Sequence, residues 1–272
     1  MTETGSITVR NLRFNRQDKP GRTWIDDPVS NAWHNALSAT FPRGEAFFIE
    51  SVKTFRDGTP PKLEAEIRDF IKQEVNHSRE HLAFNRTAAD AGYDLSGIDA
   101  HVTKMLDLAK GRPAEVNLAA TIALEHFTAI LANQLLTHPE QMAFADADVA
   151  AMWRWHAIEE IEHKGVAFDT WLHATRNWPG RKRWMMRSIL MLTITSNFVS
   201  HRIRDTLDLL AQDGITGWAA KRRLFWFLFG KPGVLRQVFP AWLSYFRPSF
   251  HPWDHDDRHL IAGAEMKLPL AA

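Results

Sequence analysis

The sequence predicts an all-α protein, a four-helix bundle followed by additional C-terminal helices. Three observations carry that prediction. Apolar residues recur at helical spacing through several long stretches. The pattern Glu-x-x-His occurs twice, at Glu74 and His77 and again at Glu160 and His163, and on a helix residues three apart share a face. No Gly-rich phosphate loop, no G-x-S-x-G elbow and no repeat of about 20–50 residues points elsewhere. The expected division is an irregular lead-in over 1–38, the bundle over 39–178, and a basic, aromatic-rich helical extension packed on it over 179–272.

At 272 residues the chain can bury a full core. It contains no cysteine, so thiolate clusters, disulfide frameworks and Cys nucleophiles are excluded, and a metal site must use His and carboxylate ligands. Thirteen His and eleven Trp are more than this length usually carries, which directs attention to ligands and to membrane or substrate surfaces. Met1 to Arg22 is polar and lacks the apolar core of a signal peptide. The expected location is therefore cytoplasmic, with peripheral contact at the inner membrane as the variant to test.

Residues 1–38 show no sustained periodicity and are punctuated by the run from Thr23 to Pro28. Phe41 opens the first bundle helix, with Pro42 suited to its first turn. Glu45 lies in its aromatic stretch. Alone it reads as a carboxylate complementing the helix dipole, and its reading as a ligand depends on the helices that follow.

The second bundle helix is expected from about Pro61 to Ala91, on the pattern of Leu63, Ile67, Phe70, Ile71, Val75, Leu82 and Phe84. Glu74, His77 and His81 fall on one side of it, since a seven-residue step returns within about 20° of its start. Glu74 and His77 read as metal ligands, and His81 as a further ligand or a partner behind one. After a short helix from His101 to Lys110, closed by Gly111, Arg112 and Pro113, the third bundle helix runs from about Ala114 to Leu136. Glu125 stands in its nearly uncharged middle, where a carboxylate is costly unless paired or bound to a cation. His126 points about 100° away and reads as a core histidine or a partner behind a ligand.

The fourth helix is expected as one element from Pro139 to Thr175. Glu160 and His163 repeat the spacing of Glu74 and His77. His156 lies four before Glu160 and Glu159 four before His163, so either could replace or augment a ligand. Both are also the candidate catalytic residues. Glu162 and Lys164 read as charged neighbours outside the ligand set.

The segments Phe41-Pro42-Arg43-Gly44-Glu45, Gln73-Glu74-Val75-Asn76-His77, Glu125-His126 and Trp155 to Lys164 resemble the bacterial family of predicted metal-dependent hydrolases, itself similar to the ferritin-like superfamily. The likeness spans about residues 10–255 and includes His251-Pro252-Trp253-Asp254. It implies a ferritin-like four-helix bundle in which Glu45, Glu74, His77, Glu125, Glu160 and His163 hold two metal ions.

Four carboxylates and two imidazoles suit iron first, with manganese or zinc as alternatives, and their formal charge of about −4 is matched by two divalent cations. The expected function is a di-iron oxidase or oxygenase acting with dioxygen on a small apolar or lipid-like substrate, with aromatic residues excluding water. A dimetal hydrolase with Glu159 as general base is the alternative. A second alternative is an iron-handling bundle without an organic substrate, against which the long C-terminal extension speaks.

Residues 180–250 carry twelve Lys or Arg against three Asp or Glu. That asymmetry suggests a partner or surface. Ile189 to Val199 is too short to cross a membrane, which takes about 20 residues, but Lys221-Arg222-Arg223 before Leu224-Phe225-Trp226-Phe227-Leu228-Phe229 is what an interfacial helix requires. A helical lid with solvated cations is the equal alternative. The partners to test are thus an apolar small molecule, a membrane surface at 180–250 and a second copy of the chain. Nucleic acid is not expected, because the aromatics form continuous apolar runs without a binding motif.

Overall fold

Asp27 caps the first helix. Its carboxylate accepts from the Val29 amide at 2.9 Å, and Pro28 occupies the first turn, where no amide donor is needed. Helix α1 (Pro28–Ser38) follows, inside the stretch expected to be irregular. Its periodicity is there in Val29, Ala32, Trp33, Ala36 and Leu37, all buried. Buried Asn31, Asn35 and Ser38 between them hide it. The structure, a computed structural model, describes residues 7–14 and 22–268, so the rest of that lead-in lies outside the described residues.

The chain continues as α2 (Phe41–Lys53), α3 (Pro61–Asp90), α4 (Ser96–Ala109), α5 (Ala114–Thr137), α6 (Ala147–His163), α7 (Val166–Ala174), α8 (Gly180–Gln212), α9 (Gly217–Phe229), α10 (Val234–Ser244) and α11 (His259–Glu265). Short 3-10 turns lie at Pro139–Met142 and Pro252–Asp254. Among the described residues there is no strand, only one isolated bridge between Ile25 and Ala145, so the fold is all-α as the sequence predicts. Helix α2 packs on α3, α5 packs on α6, and contacts of α2 with α5 and of α3 with α6 and α7 close the bundle. Over it lie α8 on α1 and α5, α10 on α5, and α11 on α6.

The fourth helix differs from its expected form, being divided into a 3-10 turn, α6 and α7. Lys164, just after α6, turns its Nζ to the His255 carbonyl at 2.7 Å and to Asp257 at 2.5 Å, drawing the chain towards the C-terminal segment. At Gly165 a Cβ would come within 2.5 Å of Trp253 Nε1. Glycine there admits the Trp253 indole, and the break falls immediately after His163.

His34 in α1 is buried, and its Nδ1 donates to the Ser30 carbonyl at 2.8 Å. Burial pushes it down from its ordinary 6.5 to about 4. The unfolded chain binds this proton more readily than the folded one. The contribution of neutral His34 is therefore complete above pH about 6.5 and is lost as pH falls towards 4, by up to about 3 kcal/mol. His34→Gln is expected to lose less stability than the parent chain between pH 7 and 4.5. Parallel acid limbs in urea midpoints would contradict this account.

Candidate metal centre

Four helices bring their polar residues to one interior point. Helix α2 supplies Glu45, α3 supplies Glu74, His77 and His81, α5 supplies Glu125, and α6 supplies His156, Glu159, Glu160 and His163; every one is buried. In the middle of α3 the usual amphipathic order is inverted. Gln73, Glu74, Asn76, His77, Glu80 and His81 are buried, while Val75 and Leu82, expected as core residues, are 53% and 46% exposed. On α6 the steps from His156 to Glu160 to His163 are four and three residues, which places the three on one face.

The donor atoms form three overlapping groups. His163 Nε2 lies 3.2 Å from Glu74 Oε1 and 3.6 Å from both Glu125 Oε2 and Glu160 Oε2. His77 Nδ1 lies 3.7 Å from Glu74 Oε1 and 3.6 Å from Glu160 Oε1. His156 Nε2 is 2.9 Å from Glu160 Oε1. Within 4.8 Å of one another, and so able to hold a metal ion, are donor atoms of Glu45, His77 and His156, of Glu74, His77 and Glu160, and of Glu74, Glu125 and His163. Glu74 belongs to both ends of the cluster, and the two oxygens of Glu160 diverge towards them.

The donors fit metal ions. Glu45 Oε1, both oxygens of Glu74 and of Glu125, Glu160 Oε2, His77 Nδ1 and His163 Nε2 are buried without a hydrogen-bond partner. Desolvating so many carboxylate oxygens is costly unless cations stand among them. The outer ring nitrogens assign the tautomers. His77 Nε2 donates to Glu159 Oε2 at 3.0 Å and His163 Nδ1 donates to Gln73 Oε1 at 2.9 Å, so in the neutral ring each inner nitrogen presents a lone pair.

A longer relay assigns His156. Asn85 Nδ2 donates to the Ser38 carbonyl at 3.1 Å, which leaves Asn85 Oδ1 to accept the Ser38 hydroxyl proton at 2.7 Å. Ser38 Oγ then accepts from His81 Nδ1 at 2.8 Å, and His81 Nε2 accepts from His156 Nδ1 at 2.7 Å. Burial, then the charge of His77, lowers the affinity of His156 for a second proton. Its Nε2 is thereby a bare lone pair facing a carboxylate oxygen, a contact that a cation resolves.

Protons compete for these atoms. Burial, then the charge of Glu74, pushes Glu45 well up; the same two causes, with Glu160 next, raise Glu125. Glu160 moves down, because the charge of His163 and contact with His156 outweigh its burial. Burial opposes charge on His77 and His163 too, yet the surrounding carboxylates raise both. Metal binding at these atoms would release the protons they hold.

Of the expected site residues, the structure brings Glu45, Glu74, His77, Glu125, His156, Glu160 and His163 to the cluster. His81 stands behind His156, with both ring nitrogens engaged. Glu159 stands behind His77, its Oε1 accepting from the Arg10 amide at 2.9 Å and its Oε2 from His77. His126 faces away from the cluster, with Nε2 3.2 Å from the Ala241 carbonyl. Phe41, Phe70 and Trp155 set their rings 4.8, 4.9 and 4.9 Å from His156, His163 and His77. A cavity of about 470 Å³ between α5 and α10 is lined by His126, Lys164 and Asp257 and by no member of the cluster.

Sequence reasoning missed Arg10. The segment 7–14 runs across the outside of the centre, where Arg10 reaches both Glu162 oxygens at 2.9 and 2.7 Å, Glu159 at 3.6 Å and Glu265 of α11. Glu162 in turn accepts from Gln73 Nε2 at 3.0 Å, which fixes the Gln73 oxygen towards His163. One guanidinium thus stands behind the partners of both His77 and His163. Nothing in its local sequence marks it, because its partners lie about 150 and 255 positions away.

The family model described as predicted metal-dependent hydrolase matches residues 8–256. Comparison with curated proteins and with solved structures finds no match.

Proposed function

The chain belongs to the family of predicted metal-dependent hydrolases, and on that premise we propose that its centre holds two metal ions, iron foremost, for dioxygen-dependent oxidation of a small apolar or lipid-like substrate. The observation that carries this reading is the donor set: four buried carboxylates and three imidazoles presenting lone pairs to one interior point. Hard oxygen donors with borderline nitrogens suit iron or manganese. When bound, the ions would supply electron transfer and Lewis acidity.

Glu45, His77 and His156 would hold one ion, and Glu125 and His163 the other. Glu74 and Glu160 would reach both. Glu159, Gln73 and His81 orient the three imidazoles from behind, and such partners are typically worth about 10–100-fold in metal affinity or activity. Phe41, Phe70 and Trp155 keep water from the interior face.

Hydrolysis is the second reading, favoured by the family's description. Its expected general base, Glu159, is engaged at both oxygens, and that geometry weighs against a free base at this position.

Metal analysis of anaerobically purified protein, with optical spectra before and after exposure to air, separates the two. Two irons per chain with an oxygen-dependent spectral change are expected. Zinc or manganese without response to oxygen, seen also after reconstitution with iron, would overturn oxidation in favour of hydrolysis and direct the substrate search to esters, amides and phosphoesters.

A further inference from the structure

Helix α9 is apolar on two faces, and only one of them is packed. Ala220, Leu224, Phe227 and Leu228 are buried on the inner side. On the outer side Trp218, Phe225, Trp226 and Phe229 are 78%, 63%, 62% and 43% exposed. At about 100° per residue, Trp218, Arg222, Phe225, Trp226 and Phe229 fall within an arc of about 100°. Lys221 and Arg223, both exposed, mark its two borders. Helix α9 contains no acidic residue. The neighbouring α10 packs against it and also exposes Phe239 and Leu243.

We propose that the outer face of α9 is an interfacial membrane-binding surface whose partner is a bilayer containing anionic phospholipid. An aromatic stripe bordered by cations on both sides matches the layering of a bilayer surface. The rings enter the boundary between headgroups and acyl chains, while the long basic side chains extend back to the phosphates. Trp218 and Trp226 are of the type that settles at that boundary. The partner must be an interface rather than a bilayer interior, because among the described residues no helix is long and apolar enough to cross a membrane. The structure also separates two neighbours in the sequence: Trp226 is available to lipid, whereas Phe227 is buried with its ring 6.1 Å from that of Trp33. This inference rests on α9 alone and stands apart from the chemistry of the metal centre.

Flotation of the full chain with vesicles tests it, using phosphatidylcholine alone and phosphatidylcholine with phosphatidylserine. The parent chain is expected to float with the anionic vesicles and far less with the neutral ones. The combined variant Trp218→Ser, Phe225→Ser and Trp226→Ser should lose flotation while keeping its metal content, since these side chains project into solvent. The combined variant Lys221→Gln, Arg222→Gln and Arg223→Gln should bind on the order of 100-fold more weakly, as expected for three cations near an anionic surface. Should the aromatic variant lose helical content, Trp226→Ser alone decides the same question. Absence of flotation by the parent chain, or equal flotation with neutral and anionic vesicles, would overturn the proposal. So would unchanged flotation of either combined variant. A concentration-dependent dimer that the aromatic variant converts to monomer, without vesicle binding by the parent, would assign this face to a second copy and overturn it as well.

Discussion

Of the two metal ions proposed for the centre, Glu74→Ala is expected to release both, whereas Glu125→Ala is expected to release one. The difference follows from position. Glu74 stands 3.2 Å from His163 Nε2 and 3.7 Å from His77 Nδ1, so its carboxylate serves both ends of the cluster. Glu125 groups only with Glu74 and His163. Each loss should exceed the roughly 10–100-fold weakening typical of removing a partner behind a ligand. Elemental analysis per chain after gel filtration gives the counts, and far-ultraviolet circular dichroism checks the helices. One firmly held ion in Glu74→Ala would sink the shared role of this carboxylate.

Arg10→Ala is expected to weaken metal binding at the proposed centre by about 10–100-fold, although Arg10 reaches none of its donor atoms. Its guanidinium fork grips Glu162, which holds Gln73 on His163, and its backbone amide and side chain approach Glu159, which holds His77. Removing the cation leaves Glu159 and Glu162 nearly buried beside each other, with a stability cost of about 3 kcal/mol. Arg10→Lys should recover part of the stability but little of the metal affinity, because an ammonium supplies charge without the two-pronged geometry. Competition with a chromophoric chelator measures affinity, and urea denaturation of metal-free protein measures stability. If Arg10→Ala loses stability while both ions bind as before, Arg10 is structural and does not orient the histidines.

The centre was legible in α3 because Glu74, His77 and His81 recur at the spacing of ligands on one helix face. The inverted order, with Val75 and Leu82 facing solvent, belongs to the structure alone, since the apolar pattern assigns both to the core. Glu125 was readable for another reason, as a carboxylate among residues that offer it no local partner. Spacing could not rank His81, His156 and Glu159, since all three lie one helical turn from an expected ligand. What separates them is the ring nitrogen each partner occupies, which depends on Ser38, Asn85 and the Arg10 amide from other segments.

By itself the sequence determined the all-α class and marked Glu45, Glu74, His77, Glu125, Glu160 and His163 as candidate ligands with His81, His156 and Glu159 left open, because helical periodicity and a three- or four-residue step are local properties of the chain. It also marked Lys221 to Phe229 as a basic triplet followed by an aromatic, apolar run. Only the tertiary structure decided that α1 is a helix, that the fourth helix breaks at Lys164 and Gly165, that Phe227 is core and Trp226 surface, and that one arginine near the start of the chain stands behind two histidines. Each of these depends on contacts between residues far apart in the chain, and a periodicity carries no information about which distant side chain fills the space it faces.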